Sequence, residues 1–335
     1  MKSQENIRVG VVGVGAMGRH HVRIASTTSG ISLTGLYDPD FSRASEICGL
    51  HGCISFANLD ELLDGCDAVC IASPTVTHLD IGKKCFERGL HVLMEKPLAH
   101  TLPAARELVD LASGTGKVLM VGHVERYNPA VIRLMELLKE NGEEIISIDC
   151  RRLAPFDGTR CMDADVLYDL MIHDVDLALE IADAPVISVT ASGRPVFSEK
   201  TDVAYSRIQF RNGATAVFWI GKCSPKKVRT VTVTTPGRFM VADTLDKSLM
   251  IHTAQTLPAM TDGVCMMGEI RAEQMAVPDE EPLRKELEDF FDAIRNETSP
   301  IVHGQRALAA METLDLVAKS IFAGGNLIET DIGRG

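Results

Sequence analysis

From residue 7 to residue 121, short apolar runs alternate with stretches whose apolar positions recur every three or four residues. Ile7–Val12, Ile31–Tyr37, Ala68–Ala72, His91–Met94 and Val118–Val121 are each bounded by Gly, Pro, Asp or Ser, the pattern of strands buried on both faces. Between them, Met17–Ser26, Phe41–Leu50, Thr77–Glu87 and Pro103–Ser113 carry helical spacing. This alternation predicts βαβ units, a parallel sheet with helices on both faces, and right-handed crossovers.

After Gly122 the rhythm changes. Pro129–Glu140 and Val166–Ile181 have helical periodicity, while Ile145–Arg152, Val186–Ala191, Val203–Phe210, Ala214–Ile220, Val228–Thr235 and Phe239–Val241 read as strands. Arg211-Asn212-Gly213 and Pro236-Gly237-Arg238 are turn signals, so an antiparallel sheet is expected here. In Ala214–Ile220 both alternating faces are apolar, with Val217 and Trp219 on one and Ala216, Phe218 and Ile220 on the other. Such a strand either presents one face to a second subunit or is wholly internal. Two amphipathic helices close the chain, one carrying Leu283, Leu287, Phe290, Phe291 and Ile294, the other spanning Gln305–Ala323.

Charge narrows the class. The 335 residues hold 34 basic and 46 acidic side chains, a net −12, and only 5% are aromatic. That surface neither neutralises a phosphate backbone nor stacks bases, which excludes nucleic acid as partner. No run reaches the roughly 18 apolar residues of a membrane span, and the N-terminus lacks a signal-peptide core, so a cytoplasmic protein is expected. The nine cysteines are scattered, and the closest pairs, Cys48/Cys53 and Cys66/Cys70, lack CxxC spacing. They read as reduced thiols packed as small hydrophobes, so none of a zinc ribbon, a redox dithiol or a secreted disulfide scaffold is expected.

The first strand runs straight into Gly13-Val14-Gly15-Ala16-Met17-Gly18, a GxGxxG that opens a helix. Gly13 permits the tight turn, Gly15 lets backbone approach a pyrophosphate, and Gly18 allows close helix packing. The helix start then offers free N–H groups and partial positive charge to the anion. Asp38 ends the second strand twenty residues after Gly18, where a carboxylate holds ribose hydroxyls. A dinucleotide site is therefore expected, filled by NAD rather than NADP because Asp38 would repel a 2′-phosphate. Arg43 is the one nearby residue that favours the phosphate.

Ligands of open parallel sheets bind beyond the carboxyl ends of the strands. Three such ends carry polar chemistry: Ser73-Pro74 with His78, Glu95-Lys96-Pro97, and His123 followed by Arg126-Tyr127-Asn128. All three should converge on the nicotinamide end of a bound dinucleotide, with Ser73, Pro74, His78, Glu95 and Lys96 as cofactor contacts. This common rim makes Lys96 a functional candidate, whereas His78 serves equally well as a helix cap. In the helix Val166–Ile181, Asp169, His173, Asp176 and Glu180 form a polar stripe opposite an apolar face. Three readings of this stripe stay open: a solvated face, a catalytic Asp169–His173 pair, or a metal site lacking a further His pair.

Taken together, Gly13–Gly18, Glu95-Lys96-Pro97 and Asp169-x-x-x-His173 resemble the Gfo/Idh/MocA oxidoreductase family over essentially the whole chain. The resemblance implies an α/β protein with an NAD-binding Rossmann domain at 1–123. A C-terminal α+β domain at 124–335 follows, with an open, mainly antiparallel sheet used for substrate binding and oligomerisation. The last helix, 305–323, packs back on the Rossmann domain. It also implies that Lys96, Asp169 and His173 line the nicotinamide pocket as catalytic residues, with no metal. The segments Gly122–Pro129 and Leu167–Asp174 resemble the nucleotide-sugar branch of that family, which implies oxidation of a ring hydroxyl, the 3-hydroxyl of a UDP-N-acetylhexosamine. One of His173 and Lys96 then accepts the hydroxyl proton. His173 is the natural base and Lys96 the group that stabilises the alkoxide or relays the proton, with the two roles exchangeable. Asp169 orients His173 or holds a neighbouring hydroxyl. His123, Arg126, Tyr127, Asn128, Arg152 and Arg160 are the expected substrate contacts, the arginines for a diphosphate. A homodimer or homotetramer is expected. The competing expectations are an inositol or free-sugar dehydrogenase, a non-catalytic NAD sensor, and a metal-dependent hydrolase.

Overall fold

The computed structural model describes residues 6–156, 165–261 and 264–330. Two compact units divide the chain: Met1–Val124 with Glu281–Met311, and Glu125–Glu280 with Glu312–Gly335. The stretch 281–311 therefore groups with the first unit, whereas the sequence reading assigned all of 124–335 to the second domain.

In the first unit the elements are β1 (Ile7–Val12), α1 (Gly18–Ala25), β2 (Ile31–Tyr37), α2 (Phe41–His51), β3 (Ile54–Ser55), α3 (Leu59–Asp64), β4 (Ala68–Ile71), α4 (His78–Glu87), β5 (His91–Glu95), α5 (Leu102–Thr115) and β6 (Leu119–Gly122). The six strands form one sheet in the order β3-β2-β1-β4-β5-β6, every pair parallel. Val9, Val11, Val69, Val92 and Val121 are fully buried, which is why these strands read as unbroken apolar runs. Local chemistry sets the helix ends. Asp40 caps α2 by accepting from the Arg43 N–H at 3.1 Å, and Thr101 caps α5 ahead of Pro103. The order reverses between β1 and β4, the switch point where such sheets bind ligands. β3 and α3 escaped the sequence reading because each is too short to show a period.

The second unit contains α6 (Pro129–Asn141), β7 (Ser147–Leu153), a π-helical turn at Leu167–Met171, α7 (Ile172–Ala182), β8 (Val186–Arg194), β9 (Val203–Phe210), β10 (Thr215–Gly221), β11 (Val228–Thr234), β12 (Arg238–Asp243), β13 (Ser248–Thr261) and β14 (Val264–Met275). α8 (Pro282–Asn296) belongs to the first unit, and α9 (Gly304–Phe322) passes from the first unit into the second, which ends with β15 (Ile328–Glu329). The nine-stranded sheet runs β14-β13-β12-β11-β7-β10-β9-β8-β15 and is antiparallel except for the pair β7·β10. The long β13–β14 hairpin lies beyond the strands read from the sequence. Two expectations are corrected. The helix read across Val166–Ile181 is a π turn followed by α7. The wholly internal reading of β10 also fails: Ala216, Phe218 and Ile220 are buried, but Val217 and Trp219 are 41% and 39% exposed beside Tyr205. No helix among the described residues is long and apolar enough to cross a membrane.

Candidate active site

The strand β1 ends at Val12 and the chain turns through Gly13, whose φ is +84°. A Cβ at Gly13 would lie 2.8 Å from the Ala72 backbone, and one at Gly18 would collide with the Gly13 carbonyl oxygen. Around Gly15, by contrast, nothing lies within 4 Å of where a Cβ would be. The turn is thus tight on its protein side and open on its outer side, as close approach of a pyrophosphate requires. Ala16 and Met17 complete it, and the His21 N–H bonds back to the Met17 carbonyl as α1 starts.

Asp38, just past β2, is buried and bonded to this turn. Its Oδ2 accepts from the Val14 N–H at 2.8 Å and its Oδ1 from the Asp40 N–H at 2.9 Å. A carboxylate has about four acceptor sites, so the two N–H bonds orient it and leave capacity for ribose hydroxyls. Arg43, the residue that favours NADP, pairs with Asp40 at 3.2 Å. The glycine turn and Asp38 together fit a nicotinamide dinucleotide.

The next strand ends lie in order along the same carboxyl edge, Ile71 beside Met94 and Glu95 beside Gly122. Ser73 Oγ lies 2.7 Å from Thr77 Oγ1, so Ser73-Pro74 leads into a short helical turn at Thr75–Thr77. His78 is corrected to a structural role. It is fully buried, with Nδ1 3.2 Å from the Leu98 carbonyl and Nε2 3.1 Å from the Ser73 carbonyl. Burial holds its pKa below the ordinary value, and a neutral ring donates to only one of these carbonyls.

Glu95 also differs from the expectation that it contacts cofactor. Its Oε1 lies 2.8 Å from Nε2 of His21 on α1, inside the unit, while the following Lys96 is only half-buried. Behind this pair, α8 contributes Glu286, fully buried with no hydrogen-bond partner on either carboxyl oxygen. Burial first, and then the Glu95 and Asp289 charges, push its pKa well up. Sequence reading missed that His21 and Glu286 are buried. The signal was present: His21 lies with Gly18, Val22 and Ala25, and Glu286 with Leu283, Leu287 and Phe290, at the spacing of an apolar helix face.

In the second unit, Asp169 occupies the π turn and His173 the first turn of α7. Single π turns within helices are rare and occur frequently at functional sites. Lys222, just past β10, brings Nζ to 3.9 Å from Asp169 Oδ2, a neighbour not suspected from the sequence. The rest of the stripe is not a solvated face. Arg126 donates from Nε to Asp176 at 2.6 Å and from Nη2 to Glu180 at 3.0 Å. Arg152 grips both oxygens of Asp174 at 2.8 and 2.9 Å and reaches Glu125 at 2.8 Å.

This overturns the substrate role expected for Arg126 and Arg152. Both guanidiniums are buried and neutralise carboxylates that would otherwise be stranded inside the unit. Asn128 is corrected likewise: its Oδ1 caps α6 through the Ala130 N–H, and its Nδ2 donates to the Thr244 carbonyl. His123 and Tyr127 are buried. Arg160 lies outside the described residues. Among the described residues, no group of three or more His, Cys, Asp or Glu side chains could hold a metal ion.

Comparison with known proteins agrees with both halves. The model of the GFO/IDH/MocA oxidoreductase family with its NAD-binding Rossmann fold matches residues 7–123, and that of the GFO/IDH/MocA C-terminal domain matches 146–239. UDP-N-acetylglucosamine 3-dehydrogenase of Acidithiobacillus ferrooxidans is 32% identical over 91% of this chain and 95% of its own length. The solved structure of that enzyme superposes with a TM-score of 0.85 over 95% of this chain and 98% of the other. The NAD-dependent scyllo-inositol 2-dehydrogenase of Bacillus subtilis is 26% identical over 99% of this chain and 98% of its own. The chain belongs to the GFO/IDH/MocA family of NAD-binding oxidoreductases, enzymes that act on CH–OH groups.

Proposed function

We propose that the protein oxidises a ring hydroxyl of a nucleotide sugar, the 3-hydroxyl of a UDP-N-acetylhexosamine. The observation that carries this reading is its 32% identity, over nearly the full length of both chains, to an enzyme of that name. In the balanced reaction the C–H and O–H bonds of the alcohol are broken to give a ketone and a proton. NAD, when bound, supplies the hydride acceptor. His173 takes the hydroxyl proton, because imidazole has an unperturbed pKa of about 6.5 and accepts a proton near neutral pH. Asp169, with Lys222 beside it, orients the hydroxyl or the ring of His173. Lys96 stabilises the developing alkoxide with its ammonium group. Holding the substrate diphosphate falls to groups other than Arg126 and Arg152, which are committed to internal carboxylates.

The test is to incubate protein and NAD with separate UDP-sugars, inositols and free hexoses, following reduced nicotinamide and seeking the ketone by mass spectrometry. A UDP-N-acetylhexosamine is the expected substrate. Turnover of inositol instead would replace this reading with the second one, which the 26% identity to an inositol dehydrogenase favours. Lys96→Ala and His173→Ala are each expected to lower turnover at least about a hundredfold, in the range of general acid–base contributions, with NAD affinity retained. Near-normal turnover in either variant removes that residue from the mechanism.

The exposed face of β9 and β10 supports a further part of the reading, a homo-oligomer. Tyr205 and Trp219 stack with centroids 5.7 Å apart, Val217 lies alongside, and the Arg151 guanidinium sits 6.0 Å from the Trp219 ring. An apolar sheet face of this kind is what self-association covers.

A further inference from the structure

The end of α2 brings together two cysteines that the sequence separates by five positions. Gly52 adopts φ +66° just after the helix, and its N–H bonds to the Cys48 carbonyl at 2.8 Å. The Cys53 N–H reaches the same carbonyl at 3.3 Å. This is the six-to-one hydrogen bond of a Schellman ending, a motif in which the third residue from the helix end and the second residue beyond it touch through their side chains. Those two positions usually hold hydrophobes. Here they hold Cys48 and Cys53, and their Sγ atoms lie 3.0 Å apart.

That separation exceeds a disulfide bond of about 2.05 Å by only about 1 Å. The two thiols also differ in access, Cys48 being buried and Cys53 half-buried. Cys66, Cys70, Cys85 and Cys150 are all buried. The same helix begins at Asp40, whose N–H bonds Asp38, so the pair closes the far end of the helix that braces the ribose-facing carboxylate.

We propose that Cys48 and Cys53 form a reversible redox modification site, in which a hydroperoxide converts the dithiol into a disulfide across the end of α2. Cys53, the more accessible sulfur, attacks the peroxide; an S–O bond forms, the O–O bond breaks, and water or alcohol leaves. Cys48 then attacks the sulfenic sulfur, forming S–S and releasing a second water. Overall two thiols lose two protons and two electrons to the peroxide. A thiol reductant reverses the step by exchange. Burial, followed by the hydrogen bond from Cys53, pushes the Cys48 thiol up to about 12, which fits it to the second, resolving role rather than the first. This inference is independent of the substrate assignment.

The experiment treats the full chain with stoichiometric hydrogen peroxide, alkylates under denaturing conditions, and maps peptides. Trypsin leaves both cysteines in Ala44–Lys83 together with Cys66 and Cys70. The expected product is that peptide lighter by about 2 Da before labelling, with only Cys66 and Cys70 alkylated, and dithiothreitol restoring all four sites. Cys53→Ser should abolish the cross-link, and Cys48→Ala, which keeps a small apolar residue in the buried position, should leave Cys53 as a stable sulfenic acid trapped by a dimedone probe. Full alkylation of both cysteines after oxidation, sulfinic acid at Cys53 with Cys48 still labelled, or a cross-link that persists in Cys53→Ser would each overturn the proposal.

Discussion

His21 on α1 and Glu95 at the end of β5 meet inside the first unit, Nε2 to Oε1 at 2.8 Å. The contact joins the helix that follows the phosphate-binding turn to the strand end that carries Lys96. Glu286, buried on α8, adds a second carboxyl with no hydrogen-bond partner on either oxygen, and the Glu95 charge acts on it. Burial and the Glu95 charge both disfavour the ionised form of Glu286, since two anions in one desolvated pocket repel.

Glu286 should therefore make stability fall with rising pH. Its folded pKa is raised above the unfolded value of about 4.3, so its favourable contribution is complete below that pH and is lost as pH rises toward the folded value. Glu286→Gln keeps the shape and removes the titration. Urea unfolding of the two proteins between pH 4 and 8 should show the variant gaining on the wild type by up to about 1.4 kcal/mol per pH unit over part of that range. Parallel curves would mean that Glu286 is ionised in the native protein.

Asp202 should act in the opposite sense. Burial raises its pKa, but the N–H groups of Val196, Phe197 and Ser198 at 2.9, 2.7 and 2.8 Å on Oδ2 outweigh it and bring the carboxyl down to about 2. Stability from this group is present above the unfolded pKa of about 3.9 and lost as pH falls through the folded one. Asp202→Asn is expected to cost about 2 kcal/mol at pH 7, with the difference closing towards pH 2. A penalty that does not vary with pH would assign the loss to geometry instead of charge.

Arg152 offers a test of structural against substrate-binding roles. Arg152→Met strands Asp174 in the interior, leaves Glu125 only Arg229, at 3.7 Å, among the described residues, and is expected to cost about 3–5 kcal/mol in urea unfolding. Adding Asp174→Leu should recover part of that loss, because a well-packed apolar pair avoids the desolvation of both ions. A stable Arg152→Met protein with a raised substrate KM would return the residue to the binding site.

Gly15 and Gly18 should separate binding from folding. Gly18→Ala meets the Gly13 carbonyl and should lower the thermal midpoint as well as NAD affinity. Gly15→Ala enters open space, so its midpoint should match the wild type while NAD binds at least about tenfold more weakly by calorimetry, about 1.4 kcal/mol. Unchanged affinity in Gly15→Ala would show that no pyrophosphate packs against this turn.

Trp219→Glu places a charge in the exposed face of β10 without touching the buried side. Light scattering after size exclusion should report a smaller assembly than the wild type. An unchanged mass would move the self-association surface elsewhere.

The parallel sheet, its strands and the phosphate turn could be read in advance because each depends on neighbours in sequence. Residues buried on both faces must be apolar, and a turn that needs positive φ at Gly13 and no side chain at Gly18 requires those glycines. The place of Lys96 just past a strand end followed from the same local pattern.

What local pattern could not decide was the use of long polar side chains. Arg126 and Arg152 have the chemistry to hold a diphosphate, and only tertiary structure places Asp174, Asp176, Glu125 and Glu180 within reach of them. The polar stripe has the spacing of a solvated face, yet Arg126 takes up its Asp176 and Glu180, and Arg152 the adjacent Asp174. The meeting of Cys48 with Cys53 needed the geometry of a helix ending, and that of His21 with Glu95 and Glu286 needed three separate elements packed together. Periodicity fixes which face of an element is apolar; which charges share an interior is a matter of distance in space, and the cost of desolvation makes that distance decisive.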